Sequence, residues 1–238
     1  MNRIAFCGLF FSGLKKDVIL SSRQSFQQVV TVGAEFIIEA HKNEYLKKII
    51  NENIATFDGQ VPYLIAKRKY PKVEFQKISG ADFIYDICNL AKIKNEKVFF
   101  LGGYPDSNAA SVRKLKDDGI DSAGFVTGMI PYPFPADRLS EILKAISDFK
   151  PTYLFVGLGM GKQEYFIYEN RAFLEKCGVR IAVGCGGTME VFSGKIKRAP
   201  KWMQKAGIES LYRVIKEPNW NRIKRVLSTL KFLRYLNE

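Results

Sequence analysis

Three glycine clusters, each closing an apolar run, are the residues in this chain best placed to meet a ligand. They are Gly102-Gly103 in "FLGGYPDS", Gly157 to Gly161 in "GLGMGKQE" and Gly184 to Gly187 in "GCGGTMEVFSG". Glycine turns between a strand and a helix expose backbone N–H groups that hold anions and polar groups. Glycine is also the common turn residue. Three such clusters, two of them leading into helix starts, nevertheless point to a polar or anionic ligand. A fourth feature is Asp58, which ends the run "NIATFD" just before Gly59. That order puts a carboxylate at a strand's carboxyl edge, where it serves either as a general base or as part of an Asp-Gly turn.

The cluster after "TYLFV" can be tested against two phosphate-binding loops. A dinucleotide fingerprint needs G-x-G-x-x-G; with Gly157 and Gly159 in place, the third position is Lys162. A P-loop needs G-x-x-x-x-G-K-[ST]; Val156 stands where its first glycine belongs, and Gln163 where its hydroxyl belongs. Both fail, and a nicotinamide-dependent oxidoreductase fails with the first. What remains is a helix start with a cation, Lys162, and an amide, Gln163, suited to a diphosphate or a sugar.

Metal chemistry is not expected. No D-x-D occurs, and Asp117-Asp118-Gly119-Ile120-Asp121 has the wrong spacing. The single histidine, His41, cannot build a His-based site, and it lies in a helical run. The cysteines Cys7, Cys88, Cys177 and Cys185 form no C-x-x-C and read as free thiols of a reducing compartment.

Those residues must be positioned by regular elements, and the sequence alternates them. Strand candidates are "IAFCGLF", "QVVTV", "NIATF", "KVFFLGG", "SAGFVTG", "TYLFVGLG" and "VRIAVGCGG". Helix candidates span roughly 34–51, 80–95, 106–118, 137–149 and 162–176, with two more after 200. Several strands are almost wholly apolar, as strands buried on both faces are. The expected fold class is α/β: a mostly parallel, Rossmann-like sheet with helices on both faces and a basic helical C-terminal appendage. In such a sheet, ligands bind beyond the carboxyl ends of the strands. The expected division is a catalytic domain over 1–194 and the appendage over 195–238. The start, "MNRIAFCGLFFSGLKK", reads as a first strand because it lacks a signal peptide's cleavage pattern. No run reaches the roughly 18 apolar residues of a membrane-spanning helix.

Charge is unevenly placed. The net charge is +13, and from Lys195 onward twelve Lys or Arg stand against three Glu, so +9 lies in the last 44 residues. This asymmetry predicts an anionic partner: nucleic acid, membrane or a phosphorylated substrate. In "NWNRIKRVLSTLKFLRYLNE", Ile223, Val226, Leu227, Leu230 and Leu233 fall on one helical face, flanked by Arg222, Arg225 and Lys231. A basic amphipathic helix of this kind lies in a membrane interface or packs its stripe on the protein's own core.

Read together, "VVTVGAE", "ATFDG", "ISGADF", "VFFLGGYP", "YLFVGLGMGKQE", "AVGCGGTMEVFSGKIKRAPKWMQKAGIESLYR" and "KEPNWNRIKR" follow in order. The chain thereby resembles the WecG/TagA/CpsF family of bacterial glycosyltransferases over nearly its whole length. The long "SGKIKRAPKW" to "LYR" run carries the most specific match.

The resemblance implies an inverting transfer from a UDP-sugar donor to a polyprenyl-diphosphate-linked acceptor in teichoic acid, capsule or exopolysaccharide synthesis. The sugar it implies is N-acetylmannosamine, its uronic acid or a hexose. It implies no metal and no cofactor, and a cytoplasmic enzyme peripheral on the inner, anionic face of the cell membrane. Monomer and small homo-oligomer are both compatible with it.

By position, the resemblance makes Asp58 the catalytic base and Thr31 and Gln163 donor-binding residues. Lys77 stands where the family usually has Arg, and Glu190 where it usually has Asp. Gly102, Gly103 and Gly159 belong to the substrate pocket. Arg213, Arg222 and Arg225 match tail arginines that close over a diphosphate. Gly33 replaces a common Asn, and Gly161 a usual Pro. Two other readings are a basic nucleic-acid-binding protein and a family member that has lost catalysis; no nucleic acid is expected as partner.

Overall fold

The computed structural model describes residues 3–200, 202–203 and 230–237. In chain order the elements are β1 (Ile4–Phe6), β2 (Leu9–Phe11), α1 (Lys16–Ser21), β3 (Gln27–Val32), α2 (Ala34–Ala40), α3 (Glu44–Glu52), β4 (Ile54–Phe57), α4 (Gln60–Lys69) and α5 (Gly80–Lys94). There follow β5 (Val98–Gly102), α6 (Pro105–Asp117), β6 (Ser122–Phe125), α7 (Ala136–Phe149), β7 (Tyr153–Gly157), α8 (Lys162–Glu169), α9 (Arg171–Lys176), β8 (Ile181–Gly184) and α10 (Thr188–Phe192). A 3₁₀ segment covers Leu230–Tyr235.

The α/β class read from the sequence is the one found. A six-stranded sheet has the order β4-β3-β8-β7-β5-β6. The pairs β3–β8, β8–β7, β7–β5 and β5–β6 are parallel. Every residue of β3, β5 and β8 is buried; β5 and β8 are accordingly apolar throughout, while β3 buries Gln27, Gln28 and Thr31 as well. None of the described helices is long and apolar enough to cross a membrane.

Two compact units divide the chain. The first comprises 1–18, 31–79 and 197–238. Its core is aromatic: Phe11 stacks on Phe57 at 3.9 Å between centroids, and Phe6 meets both rings edge-on. Such ring pairs add about 0.5–1.5 kcal/mol each beyond the area they bury. The second unit comprises 19–30 and 80–196. Its core is Phe99, Leu101, Leu154, Val156, Phe166 and Ile167, all at or below 2% exposure.

Four local expectations need correction. The run "IAFCGLF" is not one strand but a hairpin, with β1 antiparallel to β2 in a sheet of its own. Cys7 and Gly8 both take positive φ, 51° and 66°, which gives the turn the twist that a two-residue hairpin needs. The span 34–51 is two helices, because the Asn43 side chain accepts the Leu46 N–H and starts α3 afresh. The span 162–176 also breaks, at Asn170, whose side-chain amide donates to the Phe166 carbonyl. Helices α1, α4 and α10 were not expected from the pattern.

The fourth correction concerns the end of the tail, whose described residues form a 3₁₀ segment and not an α-helix. The described members of the apolar stripe, Leu230 and Leu233, are 59% and 42% exposed, and Phe232 between them is buried. A 3₁₀ segment has three residues per turn, so positions 230 and 233 share a face, and that face points outward. The segment is held to its own unit by Tyr235, which stacks on His41 at 3.8 Å, and by Lys69, which donates to the Leu236 carbonyl. Ile223, Val226 and Leu227 lie outside the described residues, as do Arg213, Arg222 and Arg225.

Candidate functional site

In the first unit three distant segments meet. The Asp58 N–H donates to the Val32 carbonyl at 3.0 Å, joining the end of β4 to the end of β3. Phe57 forms a parallel bridge with Lys77, and the Ile78 N–H donates to the Phe57 carbonyl. Thr31, Asp58 and Lys77 are therefore brought to neighbouring backbone positions, although 27 and 19 residues separate them along the chain. Thr31 is buried; Asp58 and Lys77 are half-buried. Gly59 takes φ 88° and ψ 140° as N-cap of α4, a conformation only glycine adopts readily. The Asp-Gly turn is thus real, and it leaves the Asp58 carboxylate at the strand end.

Arg198 adds to this wall, since its Nη2 donates to the Ser79 Oγ at 3.4 Å. In the sequence Arg198 is one of four basic residues in "KIKRAPK", and nothing local sets it apart. Gly33 is not required by its backbone, whose φ is −96°. Among the described residues, a Cβ there would meet only the Asp58 main chain, at 3.4 Å.

The second unit gathers the three glycine clusters. Strands β5, β7 and β8 are neighbours, and their register sets Gly102 beside Gly157 and Val156 beside Gly184. The clusters therefore end three adjacent parallel strands on one edge of the sheet. Close approach explains the glycine at 102: a Cβ there would lie 2.6 Å from the Gly157 carbonyl oxygen. The Gly103 N–H donates to that same oxygen. Gly159, at φ 88°, borders open space.

Gln163 is only 3% exposed, and its amide is tied within the protein. Its Nε2 donates to Glu164 Oε1 at 2.8 Å, and its Oε1 accepts the Gly186 N–H at 3.1 Å. Lys162 donates to the Ile130 carbonyl at 2.7 Å. Glu164 is fully buried, and burial pushes its carboxyl up to about 7 against the pull of hydrogen bonds from Gln163 and Gly161. Neither the burial of Glu164 nor its two side-chain donors was legible in the sequence.

Glu190 sits on α10, which Lys114 holds by donating to the Phe192 carbonyl and lying 4.5 Å over the Phe192 ring. Glu190 Oε2 is buried and has no hydrogen-bond partner among the described residues. Between Glu190 and Glu164 lies Cys185, whose thiol burial and then the Glu190 charge push far above its ordinary range. The four cysteines are all free thiols, and three of them are buried. His41 is half-buried, with its Nε2 3.0 Å from the Cys7 carbonyl.

The chemistry available is thus a half-buried carboxylate beside a lysine in one unit, and a glycine-lined wall with buried amide and carboxyl groups in the other. Comparison with known protein families places the chain in one of them. The model of the Glycosyl transferase WecG/TagA/CpsF family covers residues 12–237.

Proposed function

We propose how a chain that belongs to the WecG/TagA/CpsF glycosyltransferase family divides its reaction among named residues. The enzyme is UDP-sugar-dependent and acts on a lipid-linked acceptor in cell-surface polysaccharide synthesis. Asp58 is the general base of an inverting transfer. Its carboxylate takes the proton of the acceptor hydroxyl as that oxygen attacks C1 of the donor sugar. The bond from C1 to the diphosphate oxygen breaks, UDP leaves with the electron pair, and the configuration at C1 inverts. Lys77 and Arg198 offset the charge growing on the leaving diphosphate, as preorganised cations do. Thr31 and Glu190 contact the donor, and Gly102, Gly103 and Gly159 offer backbone and room to it. Gln163, tied at both ends of its amide, keeps one N–H for the donor. The observation that carries this reading is the meeting of Thr31, Asp58 and Lys77 at the ends of β3 and β4.

The experiment is a thermal-shift screen across UDP-sugars, followed by transfer to a polyprenyl-diphosphate acceptor. Stabilisation by no UDP-sugar, with no transfer, would refute it. Gly33→Asn is an informative variant, because it restores the amide common in the family. It is expected to fold with stability changed by only a few tenths of a kcal/mol, read by urea denaturation. Its donor preference in the same screen is expected to change.

The tail has a membrane role in this proposal. Arg213, Arg222 and Arg225 bind the diphosphate of donor or acceptor, and the tail as a whole meets the anionic inner leaflet of the cell membrane. The exposed Leu230 and Leu233 support that role. Each basic residue near an anionic surface contributes about 1 kcal/mol. Replacing Arg222, Lys224 and Arg225 together with Ala is expected to weaken sedimentation with phosphatidylglycerol vesicles by about a hundredfold. Equal sedimentation of variant and wild type would remove the tail from membrane binding. The rival, a nucleic-acid binder, predicts instead tight RNA or DNA binding with a steep salt slope.

A further inference from the structure

The charge on Glu164 has no explanation in the fold alone. Helix α8 begins at Gly161, and Glu164, at its third position, reaches back to the Gly161 N–H at 2.8 Å. For that, any acceptor suffices, and a glutamine there caps as well as a glutamate. A carboxylate at 1% exposure with no hydrogen-bonded cation among the described residues is costly to bury. The second oxygen supplies the reason. Oε1 accepts from Gln163 Nε2 while Oε2 accepts from Gly161. A glutamine has one side-chain oxygen, so it would turn an N–H toward one of those two donors.

We propose that Glu164 is a positioning residue: its buried carboxylate holds the Gly157–Gly161 loop and the Gln163 amide in the arrangement that receives the diphosphate of the donor. This rests on the reading of the glycine wall as donor-binding. The link runs through three elements. Glu164 fixes the loop after β7, and through Gln163 it reaches the Gly186 N–H in the loop after β8. Gln28 on β3 donates to the Glu164 carbonyl at 3.0 Å and holds its backbone. Gly184 makes the room: a Cβ there would overlap Glu164 Oε1 and lie 2.5 Å from Gln163 Nε2. The loop meets open space at Gly159, while Glu164 is buried. Glu164 thus acts from behind the loop and does not touch substrate.

Burial pushes the carboxyl up to about 7, so its second acceptor is present above that pH and lost below it. Among the described residues, the Cys185 thiol at the end of β8 feels the Glu164 charge, and it feels that of Glu190 on α10 more strongly. The Cys185 thiol stays neutral throughout this range.

The test uses full-length protein, with UDP as the probe, and compares wild type with Glu164→Gln. Hydrogen exchange of the 157–164 peptide is read without ligand, and UDP affinity is read by calorimetry at about pH 6 and about pH 8. Expected are faster exchange in the variant and UDP binding about tenfold weaker at the higher pH. The gap between the two proteins should narrow at the lower pH. UDP's own phosphate titrates in that window, so the gap, not either profile alone, is the readout. Unchanged exchange, or a gap that does not depend on pH, would overturn the proposal. Wild-type protein that binds no UDP would overturn the donor-wall reading, and the positioning role with it. Gln163→Ala separates the two arms: it is expected to weaken UDP binding while keeping the Gly161 amide protected.

Discussion

Asp58→Asn leaves the protein folded and lowers sugar transfer by about 10²–10⁴-fold. The fold survives because the link this residue gives to β3 is made by its backbone N–H, which asparagine keeps. Asn also matches Asp in size at a half-buried position. What disappears is the proton acceptor. An amide cannot take a proton from the attacking hydroxyl at neutral pH, so the acceptor oxygen must attack as the far weaker neutral nucleophile. Substrate binding should change little, because the donor is held by other residues in this scheme. The measurements are transfer rate, with the UDP-sugar found by thermal shift, and urea denaturation of the same sample. Wild-type rates in a folded variant would remove Asp58 from the role of base.

Gly161→Pro is the second large effect, and it bears on a departure from the family pattern. The family usually carries proline where this chain has Gly161. Here Gly161 takes φ 85° and ψ −62°, the γ-turn conformation that is strained for any residue with a side chain. Proline is locked near φ −65° and has no N–H. The substitution would therefore turn the backbone through most of a half circle and delete the bond to Glu164. The buried carboxylate would be left with Gln163 as its side-chain donor. A loss of about 3 kcal/mol or more is expected in denaturant titration, with UDP binding lost in parallel. A variant as stable as wild type would mean that the loop can take the proline conformation, and that the departure at 161 is neutral.

Much of the fold was legible because it depends on burial. The runs "QVVTV", "VFFLG" and "IAVG" are buried along their whole length, and only Gln28 and Thr31 interrupt their apolar signal. Asp58 was legible for a related reason, since a strand end followed by Gly marks an edge. The hairpin was not, because Cys7-Gly8 takes positive φ without the Asn-Gly pair that usually announces it. The break in α2–α3 depends on one side-chain oxygen of Asn43, a contact with no periodicity. The tie between Gln163 and Gly186 spans 23 residues and follows from the β7–β8 register. Only the sheet order, which single-sequence reading does not give, brings those two loops together. The basic tail could be read for charge but not for placement, and its described end is a 3₁₀ segment where the spacing implied an α-helix.

The burial of the cysteines has a consequence for reagents. Alkylating agents and peroxide attack the thiolate, and its abundance falls as the thiol's pKa rises. Cys88 is pushed to about 12 by burial, and Cys185 is pushed higher still between two carboxyl groups. Cys7 is shielded by burial alone. That leaves Cys177, half-buried at the end of α9, as the thiol that maleimides and oxidants meet first. A fluorophore or spin label placed there would sit on the second unit without entering the glycine wall. The native chain thus carries its own single-site handle, and the thiol nearest the wall is the one least open to damage.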